Sequence, residues 1–128
     1  MSLYRQNKDS DFVYRMVFQG KDGNAPVIPG KVTVVFSTEA GQGSFTAKYD
    51  PSGECSGCRK ADGGLDVFLP LSRRPIGKGR LIITTTIEIP GEEFPDGVRF
   101  VRTKTTTDIL LWDGATDGSF SVTGRVVL

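Results

Sequence analysis

A chain of 128 residues is long enough for one domain with a real core, because a fold of this size removes roughly two-thirds of the unfolded chain's surface from water. Lys and Arg number 16 against 15 Asp and Glu, and a net charge of +1 supplies no general field to draw the protein onto nucleic acid or an anionic membrane. No stretch approaches the ~20 apolar residues of a membrane span, and Arg5, Lys8, Asp9 and Asp11 break the apolar run that a secretory leader needs, so a cytoplasmic protein is expected.

Residues 1–10 read as a flexible N-terminal segment, and 11–128 as a single β-domain. Alternation of apolar and polar positions, the mark of a half-buried strand, begins with Phe12, Tyr14, Met16 and Phe18. It returns with Val32, Val34 and Phe36, with Phe45, Ala47 and Tyr49, and with Leu65, Val67 and Leu69. Between the last two sets, DPSGECSGCRKADGG reads as a polar loop. LSRRPIGKG offers room for a single helical turn, and no segment sustains a period of 3.6. RLIITTTIEI then sets Leu81, Ile83, Thr85, Ile87 and Ile89 on one face and Ile82, Thr84, Thr86 and Glu88 on the other, with branched Cβ atoms that suit the pleated backbone. VRFVRTKTTTDILLW and SFSVTGRVVL complete the strands.

Turn signals punctuate the runs at Asp22-Gly23, Pro51-Ser52-Gly53, Gly63-Gly64, Pro95-Asp96-Gly97, Asp113-Gly114 and Asp117-Gly118. In FPDGV, Pro95 presets φ and Gly97 takes a positive φ, so the flanking strands are expected to fold back as a hairpin. Short strands with frequent turns predict an all-β, immunoglobulin-like antiparallel β-sandwich of about seven to eight strands, with a small β-barrel as the competing closure.

The chain has no histidine, which removes the usual proton carrier near neutral pH and excludes Ser–His and Cys–His nucleophile pairs. Glu92-Glu93 and Asp113 with Asp117 are the remaining carboxylate pairs; both lie in turn-like stretches and read as solvated rather than catalytic. No enzymatic activity and no cofactor are expected. Cys55 and Cys58 form one C-x-x-C pair, half of a structural zinc site, which a second chain would have to complete. Without the helix N-terminus that lowers a dithiol's pKa, redox catalysis is disfavoured, and free thiols or an incidental disulfide are the plainer reading.

SRRPIGKGR gathers Arg73, Arg74, Lys78 and Arg80; the strand that follows excludes a phosphate-cradling P-loop, leaving a charged capping loop or an interaction loop. Phe94 and Trp112 sit at strand ends, where an aromatic either caps the core or anchors an interface. Glu92, Glu93 and Asp96 make the neighbouring turn acidic.

The opening Asp11-Phe12 strand, the Gly77-Lys78-Gly79-x-Leu81 entry to the long strand, and the hairpin with Ile89, Pro90, Phe94, Pro95, Asp96 and Gly97 together resemble small immunoglobulin-like proteins of phages and prophages. They are similar to the N-terminal domain of upper-baseplate (tail-fibre attachment) proteins over residues 11–112. The resemblance implies a structural protein of the virion tail that packs against copies of itself, as a homo-oligomer, or against other tail proteins, without nucleic acid or membrane. In that family the domain usually precedes longer receptor-binding or coiled-coil segments, so a stand-alone accessory protein and a fragment of a longer chain are both expected. A carbohydrate- or ligand-binding module is the alternative reading; it needs a row of exposed aromatics, with Tyr14, Tyr49 and Trp112 as candidates.

Overall fold

The computed structural model describes residues 3–19, 30–40, 43–118 and 123–127, so the expected Asp22-Gly23 turn and the start of the last strand at 119–122 lie outside the described residues. The protein is an all-β sandwich. Its strands are β1 (Tyr4–Asn7), β2 (Phe12–Gln19), β3 (Val32–Thr38), β4 (Ser44–Tyr49), β5 (Cys55–Ser56), β6 (Cys58–Ala61), β7 (Gly64–Leu69), β8 (Gly79–Pro90), β9 (Val98–Trp112) and β10 (Thr123–Val127). One sheet has six strands in the order β1-β9-β8-β3-β4-β5, and the other has four in the order β10-β2-β7-β6.

The alternating residues build the space between the sheets. Tyr14, Met16 and Phe18 from β2 and Leu65, Val67 and Leu69 from β7 are buried against Val34, Phe36, Ala47, Leu81, Ile83 and Ile87 of the larger sheet. Tyr14 meets Phe36 edge-on across the layers, with ring centroids 5.9 Å apart and planes at 72°, the orientation that aligns a ring's positive edge with its neighbour's negative face. Phe36 is fully buried, and truncating such a ring to Ala removes about 3–5 kcal/mol.

Three features depart from the expected purely antiparallel sandwich of seven to eight strands. Among the described residues ten strands form, and two pairs at the margins are parallel, β1 with β9 and β10 with β2. Tyr4–Asn7, inside the segment read as flexible, is one of those strands, with Gln6 buried and its amide donating to the Ser10 carbonyl at 3.1 Å. Four residues with a polar one facing inward give no alternation to read. The stretch read as a polar loop, 50–64, carries β5 and β6, whose backbone pairs with β4 and β7 respectively. Short ladders of polar residues satisfy the backbone without a hydrophobic signature.

The turn expectations fare well. Gly97 has φ 70°, and its N–H donates to the Phe94 carbonyl at 2.9 Å, closing the tip of the β8–β9 hairpin. One turn of chain forms in LSRRPIGKG: the Arg73 and Arg74 N–H groups donate to the Pro70 carbonyl at 3.0 and 2.8 Å.

The sheets meet at a corner between β5 and β6, where the single residue Gly57 carries the chain from one sheet edge to the other at φ 74°. A Cβ there would stand 2.8 Å from the Phe45 ring as well as in the left-handed region. We predict that Gly57→Ala lowers stability by about 2–3 kcal/mol, from the αL cost plus the displaced ring, measured by urea unfolding. An unchanged midpoint would show that the corner is not under constraint.

Candidate functional site

The sequence-derived candidates fall into three places. The first is the turn before β8. Leu71 and Ile76 are buried and pin its two ends, and the Thr38 hydroxyl donates to the Ile76 carbonyl at 3.3 Å. Asp11 accepts from the Ser72 N–H at 2.9 Å. That backbone bond chiefly, then the Ser72 hydroxyl and the Arg73 charge, hold the Asp11 carboxyl below its usual range. Arg73 and Arg74 are therefore exposed on a rigid turn, not on a loose loop.

The other two cations of this run are already matched. Lys78 pairs with Asp113, and Arg80 reaches the Asp108 carboxylate at 3.3 Å and the Thr107 carbonyl at 3.1 Å. The Asp113 and Asp117 carboxylates, read as meeting only water, are both ion-paired, Asp117 with Arg5 at 3.4 Å. Register brings these partners together across β8, β9 and β1, which spacing along one strand does not reveal.

The second place is the hairpin tip. Glu92, Glu93, Phe94 and Asp96 are all exposed there, and among the described residues none of its three carboxylates is ion-paired. Phe94 lies over Gly91, where a Cβ would be 3.0 Å from its ring, so it folds back on the tip while staying 41% exposed. The basic turn precedes the twelve-residue β8 and this tip follows it, and the strand alone spans about 36 Å at ~3.3 Å per residue.

Trp112 belongs to neither. The Arg5 guanidinium lies 5.0 Å from its ring centroid, its indole N–H donates to the Ala115 carbonyl at 2.9 Å, and its backbone carbonyl accepts from Lys8 at 2.9 Å. It locks β1 and the 113–117 turn onto the end of β9. The aromatic row needed for a carbohydrate platform is not formed: Tyr14 and Tyr49 are buried and Trp112 is covered by Arg5.

The third place is the corner with Cys55 and Cys58. Both thiols are free; Cys55 is exposed, and Cys58 is half-buried with its thiol donating to the Lys48 carbonyl at 3.3 Å. Burial chiefly, then the adjacent Cys55 thiol, push Cys58 from an ordinary 9.0 up to about 11. Among the described residues no cluster of three or more His, Cys, Asp or Glu is placed to hold a metal, so zinc here would need donors from a second chain.

Sequence reasoning passed over the outer faces of the sheets. Asp66 is nearly buried between Arg15 at 3.1 Å and Arg59 at 3.4 Å, beside the exposed cross-strand pair Val13 and Phe68. The Arg15 hydrogen bond is the main cause holding the Asp66 carboxyl below its usual range. Its stabilising effect is complete above the ordinary carboxylate value of 3.8 and is lost as pH falls through the lower folded value. Phe100 is 64% exposed on the outer face of β9, in a row with Arg102 and Lys104. The phase of VRFVRTK carried the signal, since Phe100 alternates with its inward neighbours and keeps step with two cations.

No family model, curated protein or solved structure matches this chain. Among the described residues, no helix is long and apolar enough to cross a membrane.

The raised Cys58 value gives a pH prediction with a definite sign. The unfolded thiol ionises from about 9 and the folded one only near 11, so Cys58 lowers stability as pH rises across that window. At pH 8 we predict that iodoacetamide labels Cys55 at least about tenfold faster than Cys58, read by peptide mass spectrometry. Equal rates would contradict the half-buried, hydrogen-bonded placement.

Proposed function

We propose that the protein is a non-enzymatic structural and assembly component of a phage or prophage tail or baseplate, acting through protein–protein contacts. The likeness of the Asp11-Phe12, Gly77–Leu81 and Ile89–Gly97 stretches to tail proteins supports the setting. The observation that carries the contact is the separation of charges that form no close ion pair, Arg73 meeting Asp11 only through its field. Arg73 and Arg74 project from a pinned turn at one end of β8, and Glu92, Glu93 and Asp96 project from the tip at the other. Charges on opposite ends of one molecule cannot satisfy each other within it, but they meet head to tail between neighbouring copies. Repeated with a closing rotation, that heterologous contact makes a ring. Lys78 and Arg80, engaged by Asp113 and Asp108, support the turn without contacting the neighbour. On this reading the protein resides in the virion tail.

Charge reversal tests the contact directly. The double substitution Arg73→Glu and Arg74→Glu is predicted to weaken self-association at least about tenfold by light scattering at 50 mM salt, and added salt should mimic it on the unaltered protein. Association that ignores both changes removes the head-to-tail contact.

A further inference from the structure

Strand β9 has two unlike halves. Ile109–Trp112 lies between β8 and β1, whereas Val98–Thr106 has β8 on one side and, among the described residues, no strand on the other. A margin of this kind turns half of its N–H and C=O groups away from the sheet, where they are free to pair with another chain.

The sandwich is also open beside that margin. Between β9 and β10 lies a cleft of about 300 Å3 with Tyr14, Met16, Ile83 and Val126 beneath and Thr103 and Thr105 at its rim. The apolar groups beneath it are buried, while Thr105 is exposed. A strand laid along β9 would turn every second side chain into this cleft.

The outer side of the same margin carries charge. Arg102 and Lys104 are exposed, and their cross-strand neighbours on β8 are Thr86 and Thr84, which offer no counter-charge. Neither cation has an ion pair among the described residues. Pairing the margin with its counterpart in a second copy would set these cations near one another, which is unfavourable for strands directly opposed. Glu92, Glu93 and Asp96, at the start of β9, repel an anionic segment from that end and direct it toward Thr106.

We propose that the open margin of β9, from Phe100 to Thr106, is a docking site for an extended acidic segment of a partner protein, which joins the larger sheet as an added strand. Its apolar residues enter the cleft, and its Asp or Glu residues, at alternate positions, face Arg102 and Lys104. Main-chain hydrogen bonds supply affinity and the alternating pattern supplies selectivity, as in strand addition generally. The site is separate from the head-to-tail contact and does not depend on it.

The probe is a capped Val-Glu octapeptide titrated against the full chain, with a Val-Lys octapeptide as control, followed by calorimetry and by amide hydrogen exchange. The acidic peptide should bind saturably and slow exchange at residues 100–106. Binding should fall at least about tenfold in the Arg102→Glu, Lys104→Glu variant and on raising salt. If that variant fails to fold, the salt titration and the basic peptide on the unaltered chain decide the matter. No saturable binding at millimolar peptide, equal binding of the basic peptide, or protection confined to other strands would overturn the proposal. Protection of β9 that grows with protein concentration without peptide would also overturn it, by assigning the margin to a second copy.

Discussion

Among the described residues six strands face four, and the inner side of the larger sheet is wider than the smaller sheet covers. Most of the architecture follows from that mismatch. β2 and β7 lie over β3, β4 and β8, where Phe36, Leu81 and Ile87 are fully excluded from water. On one flank the sheets are drawn together through Gly57, which requires β5 and β6 to be short and the turn between them to be a single residue. On the other flank, β9 extends past the cover, and its inward positions change accordingly: Ile109 and Leu111 are buried, Val101 and Thr103 half-buried, and Thr105 exposed. Threonine suits such a gradient, since its branched Cβ fits the strand while its hydroxyl tolerates water.

The distribution of charge follows the same frame. Wherever strands or turns converge, cations and carboxylates are matched: Arg5 with Asp117, Lys78 with Asp113, Arg80 with Asp108, and Arg15 and Arg59 with Asp66. Apart from the Asp66 pairs, whose carboxylate is buried, these exposed pairs contribute little individually, typically under about 1 kcal/mol each, and act mainly to fix turns against strands. Among the described residues, Arg74, Glu92, Glu93 and Asp96 about the ends of β8 and Arg102 and Lys104 along the free side of β9 form no ion pair, and neither do Glu39, Lys48, Glu54, Lys60 and Asp62 elsewhere on the surface. A protein with a near-neutral total can therefore offer locally basic and locally acidic contact surfaces, which the net charge of +1 conceals.

How much of this was legible beforehand depends on pattern length. The alternation through Leu81–Ile89 spans nine residues and fixes both strand and face, and the Pro95-Asp96-Gly97 chemistry fixes the hairpin. By contrast, β1 turns Gln6 inward and β5 has two residues, so neither presents a period to detect. For the candidate site, the cationic run from Arg73 to Arg80 was visible, but its division into free and engaged halves was not. That division depends on which residues of β9 face Lys78 and Arg80, and an irregularity between Arg80 and Ile82 shifts the register there. The two thiols were visible as a pair, whereas the burial that separates Cys58 from Cys55 comes from the corner.

Amide hydrogen exchange on the dilute, monomeric protein tests the mismatch between the layers most directly. Slow exchange is predicted for the amides of β3 and β8, for Leu110–Trp112, and for those in the first half of β9 that bond to β8, while their alternate neighbours at 98–106 exchange within the dead time. Uniformly slow exchange along the whole of β9 in the monomer would contradict the account, because it would require a hydrogen-bonding partner on the open side of Val98–Thr106.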